Sequence, residues 1–479
     1  MRLATPLLAV AALVAATDAV RAEERGLLPK SEDFRLGNGV RVFLVPDHRA
    51  PLVNVEIRVA GGSVEDPAGK AGATDMAATL LAKGAGARDA QAFHEAVDFV
   101  GGSFGTDCAR RWISVSAEFL KGDVDLMLEL VGDALMRPTL DAAEFEKERK
   151  FAIDGIRQAK QQPRDIIRLY HASWFFSGHP YARPIAGDET SLAALTLDDV
   201  KAAAARTLAP SRTWMAVAGD FDASEMRKKI EDRFGIGWST PAMATGSVWS
   251  GKKVEDPAAL PPVTAPKNRG VLLVDFPTSL QTYFRFGQLA FDWKDPDFPA
   301  RYMAHTILGG RFTSRLNKTL RTDSGLTYGA GCAFDDSANG VFSVATYTEV
   351  AKSVEAIDLA VEVTKKFLAE GMTADEFASA RAYIKGQYAP NNVETGAQQA
   401  SMILALEFDG VPRDVIDQLF ARLDALTLEQ VNAVVTKRFP ATDWTWTVIG
   451  PAAKLRDSVK RFGDVTECAL TDPGYGPTK

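Results

Sequence analysis

A chain of 479 residues with 46% hydrophobic and 24% charged content exceeds the size at which one hydrophobic core keeps growing, so two or more domains are expected. Its formal charge of −7 argues against nucleic acid as a partner, because phosphate neutralisation needs clustered Lys and Arg. The same balance suggests solubility and some preference for basic partners.

The first 22 residues hold a basic residue, Arg2, an apolar run from Pro6 to Ala16, and small residues at Val20 and Ala22. This is a secretory signal pattern with cleavage after Ala22, and the apolar run is too short to span a bilayer. It predicts export to the periplasm of a Gram-negative cell; an uncleaved interfacial anchor is the alternative. Cleavage removes Arg2, Asp18 and Arg21, so the mature chain carries −8.

Residues 23–236 read as a first domain. Strand-like alternation at 40–47 and 52–60 precedes a helix around 70–84, and a further strand follows at 112–119. Helical patterns then run through 121–136 and 141–161, with Pro138 and Pro163 at their edges. Residues 237–268 carry five prolines and no sustained apolar period, which reads as a linker. Residues 269–479 form a second domain that echoes the first. The 26 residues from Ala194 align without gaps on those from Ala425 with eight identities, and AEFEKERKF (143–151) echoes DEFASARAY (375–383) at nearly the same offset. An internal duplication explains both. The predicted class is α+β: two homologous domains, each a mainly antiparallel sheet with helices packed on one face.

Cys108, Cys332 and Cys468 are few and widely spaced, without a CxxC pair. Their odd number allows at most one internal disulfide, and buried or free thiols are expected.

The stretch GKAGATDMAATLLAKG, residues 69–84, places Asp75, Ala78 and Thr79 at i, i+3 and i+4, on one helix face. It resembles the Gly-x-x-His-x-x-Glu-His-x-x-x-Lys-Gly frame of the pitrilysin-like zinc peptidases, the M16 family. Gly72, Lys83 and Gly84 match, and aspartate, alanine and threonine stand where the ligands and base belong. The resemblance also implies a third ligand, a glutamate seven residues after the Glu148–Arg149 pair, and that position is Gly155. A catalytic zinc needs three protein ligands, an open position and a nearby carboxylate base. Alanine and glycine offer no donor, threonine is a poor ligand, and Asp75 alone would bind weakly. No metal is expected in this chain.

Other candidates are weaker. HEAVD, His94 to Asp98, resembles HExxH with its last histidine replaced, but it falls where the family has an ordinary packing helix. His171 and His179 have no carboxylate at ligand spacing, and His48 and His305 are isolated. DPAGKAGAT lacks the earlier glycine of a phosphate loop, with Val64 in its place.

In the second half, LGGRFTSRLNKTLRTDSGLTYGAGCAF (308–334) is similar to the family stretch that supplies an arginine and, seven residues later, a tyrosine to the zinc site. Arg321 and Tyr328 match that pair. The resemblance implies an arginine fork holding a substrate carbonyl and a phenol donating to the developing oxyanion; helix-end charge and strand packing are the alternative roles. Some bacterial members look like heterodimers in which one subunit keeps the zinc motif and the other keeps the arginine and tyrosine. The expectation is therefore a non-catalytic, substrate-binding subunit of a periplasmic heterodimeric zinc metallopeptidase acting on peptides or unfolded proteins. It would lend Arg321 and Tyr328 to a homologous partner that carries His-x-x-Glu-His and the zinc. The alternative is a homodimeric inactive scaffold that holds peptides.

Overall fold

The computed structural model describes residues 26–236, 238, 259–264, 266, 270–335 and 340–477. The expected signal peptide, 1–22, and most of the 237–268 linker lie outside the described residues.

Alternation of apolar and polar residues builds the first sheet. Along Leu52–Ala60 the side chains of Val53, Val55, Ile57 and Val59 are buried in the core of this half, while Asn54, Glu56 and Arg58 point to the opposite face. In chain order the strands of this half are β1 (Glu32–Arg35), β2 (Arg41–Pro46), β3 (Leu52–Ala60), a two-residue ribbon of β4 (Gly84–Ala85) and β5 (Arg88–Asp89), β6 (Ser103–Cys108), β7 (Trp112–Leu120) and β8 (Thr213–Gly219). The six long ones form one sheet in the order β1-β2-β8-β3-β7-β6, antiparallel except for the parallel pair β2–β8.

The second half repeats the plan with β9 (Val271–Asp275), β10 (Gln281–Gln288), β11 (Ala330–Asp335), β12 (Val341–Glu349), β13 (Thr445–Gly450) and β14 (Val465–Ala469). Its order is β11-β12-β10-β13-β9-β14, with three antiparallel and two parallel pairs. Five strands correspond one to one. The sixth differs: β1 precedes β2 and runs antiparallel to it, whereas β14 closes the chain and runs parallel to β9. The repeat reaches to the helix caps, because Thr196–Asp199 and Thr427–Gln430 close the same reciprocal capping box 231 residues apart.

The helix expected around 70–84 is shorter, Ala73–Leu80. Gly72 ahead of it sits at φ +94°, where an added Cβ would also meet the Ala186 carbonyl at 3.0 Å, so the chain turns there on a residue that only glycine fills cheaply. The helices expected at 121–136 and 141–161 are Val124–Met136 and Ala142–Ala159, and Pro163 opens a further helix, Pro163–Phe175, as its first residue.

Helices of each half cover one face of its own sheet, as expected, but the other face is covered too, by a helix from the opposite half. Pro163–Phe175 lays Ile166, Ile167, Tyr170 and Trp174 on Leu272, Val274 and Ile449 of the second sheet. Gly396–Asp409 lays Ala400, Ile403 and Leu404 on Phe43, Val45, Ala216 and Ala218 of the first. Polar ties follow the same paths. Arg41 pairs with Glu407 at 3.1 Å, and His171 Nδ1 lies 3.1 Å from Thr447 Oγ1.

This exchange predicts that the halves unfold together. Leu404→Ala, at a side chain with no exposure, leaves a cavity at the exchange surface and costs about 2–5 kcal/mol. Urea denaturation followed by tryptophan fluorescence and by far-UV circular dichroism should show one coincident transition at a lower midpoint; two separated transitions would show that the halves are independent.

Candidate functional site

The helix Ala73–Leu80 is held by side chains outside its own ligand face. Asp66 is fully buried and receives Gly72 N–H at 3.0 Å, Thr74 N–H at 3.0 Å and the Thr74 hydroxyl at 2.5 Å. This fixes the helix N-terminus from a preceding turn. Lys83 at the far end of the frame pairs with Glu148 of Ala142–Ala159 at 2.9 Å, so one residue of the frame ties this segment to the later helix without a metal.

The four positions of the expected zinc chemistry all lie among the described residues. Ala78 is buried in the core, Thr79 is partly buried, and Gly155 is exposed, with nothing within 4 Å of an added Cβ. Space for a glutamate exists at Gly155; the donor does not. Asp75 is the one remaining group with a ligating side chain. Burial, together with the nearby Asp107 and Asp66 carboxylates, pushes its carboxyl up to about 7, which favours a proton over an ionised ligand. Among the described residues no cluster of three or more His, Cys, Asp or Glu side chains could hold a metal ion. A zinc ion does not fit this donor set.

The remaining candidates resolve into packing or surface roles. His94, Glu95 and Asp98 stand exposed along Ala90–Phe99. His48 lies 2.6 Å from Asp220, His179 Nε2 lies 2.9 Å from the Pro261 carbonyl, and His305 Nε2 lies 3.1 Å from the Cys332 carbonyl. All three cysteines are free thiols, with Cys108 and Cys468 buried.

The segment 308–334 builds a different kind of site. Its chain turns at Gly309-Gly310, passes through the helical stretch Arg315–Asp323, and enters β11. Arg321 is stacked between two aromatic rings, its guanidinium carbon 4.7 Å from the Phe312 centroid and 4.4 Å from that of Tyr328. Tyr328 is 71% exposed and Phe312 65% exposed. Both arginine and tyrosine line a cavity of about 670 Å³ whose wall is completed by Tyr283 and Tyr347, stacked at 5.7 Å, by Arg164 over Tyr347 at 5.2 Å, and by Tyr383. Arg321 and Arg164 have no carboxylate within 4 Å among the described residues. The cavity presents guanidinium donors and a phenol to its interior, which suits a carbonyl or carboxylate. The sequence motif located Arg321 and Tyr328. It gave no sign of Arg164, Tyr283, Tyr347 or Tyr383, which the exchanged helix, the second sheet and the helix Ala374–Asn392 bring to the same place.

The family model for insulinase (peptidase family M16) matches residues 41–189, and that for the peptidase M16 inactive domain matches residues 194–384. The chain belongs to the M16 peptidase family. An uncharacterised zinc protease of Mycobacterium leprae (strain TN) is 26% identical over 434 residues, covering 88% of this chain and 92% of that protein. A non-peptidase homolog of Helicobacter pylori (strain ATCC 700392 / 26695) is 21% identical over 418 residues, covering 87% and 93%. Among solved structures, a peptidase M16 inactive domain from Pseudomonas fluorescens superposes with a TM-score of 0.79 at 23% identity over 88% of this chain and 98% of that chain. At that identity the likeness establishes the fold. No helix among the described residues is long and apolar enough to cross a membrane.

The burial of Asp75 has a measurable signature. Its carboxyl moves from 3.8 in the unfolded chain to about 7 in the folded one, so the folded state holds the extra proton between those values. Stability therefore falls as pH rises from about 4 to about 7 and levels off above. Asp75→Asn removes this slope: the variant should gain on the order of 2–4 kcal/mol over the parent at about pH 8 and nothing near pH 3.5. Urea midpoints at the two pH values check it.

Proposed function

We propose that this chain is a non-catalytic, substrate-binding subunit of a zinc metallopeptidase, exported to the periplasm and paired with a homologous subunit that carries an intact His-x-x-Glu-His helix. The observation that carries the reading is Arg321, held between Phe312 and Tyr328 at the edge of the 670 Å³ cavity without a carboxylate partner. A guanidinium kept out of ion pairing and pre-oriented by two rings is set to bind an oxygen from elsewhere. The lost donors at Ala78, Thr79 and Gly155 support assigning the metal to the other subunit, as does the family model that describes an inactive domain.

In this reading the partner's zinc and carboxylate would supply the activated water. Arg321 holds the substrate carbonyl through its fork of N–H donors, and Tyr328 O–H donates to the oxygen on which charge develops. Such donors contribute only when they face the reacting bond, so the chain alone is inactive. The tyrosine-rich wall of Tyr283, Tyr347 and Tyr383 gives the flanking residues of an unfolded peptide apolar surface with few sequence demands.

The test is reconstitution with the co-purifying family member. The pair should cleave an unfolded peptide while each chain alone does not. Arg321→Ala and Tyr328→Phe should each lower kcat roughly 10²- to 10³-fold with KM changed far less. Unchanged turnover in both variants would sink the shared-site reading, and recovery of a self-dimer without proteolysis would favour a peptide-holding scaffold.

A further inference from the structure

The Arg321 cavity carries a charge opposite to that of the chain as a whole. The sequence holds 62 acidic and 55 basic side chains, yet every charged side chain in this wall is an arginine: Arg164, Arg311 and Arg321. No aspartate or glutamate lines it. Asp165 follows Arg164 on the exchanged helix but stands exposed and outside the wall. The other large cavity among the described residues mixes its signs, with Asp75, Asp107 and Asp335 beside Arg168 and Arg285. At about 0.1 M salt a field decays within about 10 Å, so the local sign decides what is drawn into the cavity, and the net charge of −7 does not.

The three arginines share one construction. Each lies over a tyrosine of the same wall: Arg164 is 5.2 Å from the Tyr347 centroid, Arg311 5.6 Å from that of Tyr383 and Arg321 4.4 Å from that of Tyr328. They come from three places in the chain, the first turn of Pro163–Phe175, the turn at Gly309-Gly310 and the helical stretch Arg315–Asp323. None has a carboxylate within 4 Å among the described residues. Stacking on a ring fixes the plane of a guanidinium and leaves its edge of N–H donors open to a carboxylate.

Other polar side chains of the wall are already engaged. Tyr283 O–H donates to Gln281 Oε1 at 2.7 Å, Asn317 donates to the Phe312 carbonyl at 2.7 Å and accepts Ala330 N–H at 3.3 Å, and Thr346 O–H donates to the Gly329 carbonyl at 2.9 Å. Arg311 donates to Ser379 Oγ at 2.9 Å, but its Nε is buried without a hydrogen-bond partner. One guanidinium suffices to hold a substrate carbonyl. Arg164 and Arg311 exceed what a peptide of arbitrary sequence requires, and three like charges around one space of about 670 Å³ repel each other until an anion lies among them.

We propose that this cavity selects closely spaced carboxylates, and that Arg164 and Arg311 are specificity-determining residues that direct the chain to acidic peptide segments by receiving Asp or Glu side chains beside the carbonyl held by Arg321. Alternate residues of an extended peptide share a face, so Glu-x-Glu offers two carboxylates to one wall, where a guanidinium fork binds each more strongly than it binds a neutral amide. The peptide role rests on the shared-site reading. The preference for carboxylates rests on the three arginines.

Calorimetric titration of the mature chain alone with end-capped peptides tests the preference. Acetyl-Ala-Glu-Ala-Glu-Ala-amide should bind at least roughly tenfold tighter than the same peptide with glutamine for glutamate, with the lysine version weakest, and the gap should narrow between about 0.05 and about 0.5 M salt. Arg164→Gln should cut the glutamate-to-glutamine ratio roughly tenfold. Arg164→Glu, at an exposed position, should raise the affinity for the lysine peptide above that of the parent chain, a gain that a misfolded variant does not give. Equal binding of the glutamate and glutamine peptides, or a ratio that Arg164→Gln leaves unmoved, would overturn the proposal. Citrate that binds as tightly as the glutamate peptide would assign the arginines to a free polycarboxylate and overturn the peptide preference. In the reconstituted pair the preference should appear in KM and not in kcat. Cleavage of both peptides with equal KM would sink this inference and leave the shared-site reading standing, whereas a glutamate preference in binding without any cleavage would support the inference and sink that reading.

Discussion

The structure depends on a reciprocal covering of two sheets. Each sheet has its own helices on one face and would expose Phe43, Val45, Ala216 and Ala218, or Leu272, Val274 and Ile449, on the other without a helix from the opposite half. Burying those faces supplies the apolar area that joins the halves. It also positions the chemistry. The helix Pro163–Phe175 seats Ile166, Ile167, Tyr170 and Trp174 on the second sheet and, from that anchorage, presents Arg164 to the Arg321 cavity and Arg168 and His171 to a second cavity, which Asp75 lines from the first half. Residues 164, 168 and 171 lie on one face by helical period. One packing decision therefore sets the walls of both cavities.

Frame and chemistry have separated in the first half. Gly72, Asp66 and the Lys83–Glu148 pair keep the helix Ala73–Leu80 in place through a turn that excludes Cβ, a buried carboxylate at the helix N-terminus and an ion pair to the neighbouring helix. None of these needs zinc. At the expected ligand positions Ala78 fills core volume and Gly155 faces solvent. In the second half the opposite holds. Tyr328 stays exposed and Arg321 half-buried, stacked on each other, with no ion pair for Arg321 among the described residues.

Much of this was legible in the sequence, for physical reasons that differ by element. The alternation of Val53, Val55, Ile57 and Val59 is a local signal of a half-buried strand, and β3 falls where it was read. The repeat at 194–219 and 425–450 reports a shared helix and strand because both copies solve the same packing problem. Helix ends were read too long at 70–84, since alanine and leucine continue the apolar pattern past Leu80 while the chain turns away at Lys83–Gly84. The helix exchange left no local mark: the apolar face of Gly396–Asp409 reads the same whether it covers its own sheet or another. For the same reason nothing in the sequence singles out Arg164 or Arg285. Only the meeting of the two halves withdraws Arg285 from solvent and sets it beside His171.

The exchange also bears on ancestry. If the chain arose by doubling a shorter gene, the single unit already contained the helix that now crosses over, because both copies have it at the same place, 163–175 and 396–409. A lone unit could not shield the outer face of its own sheet with that helix in this geometry. It would have existed as a symmetric pair of identical chains, each lending a helix to the other. Fusion of the two genes would then freeze the pair into one polypeptide and release each copy from identity, so that one half could come to carry Ala78, Thr79 and Gly155 and the other Arg321 and Tyr328.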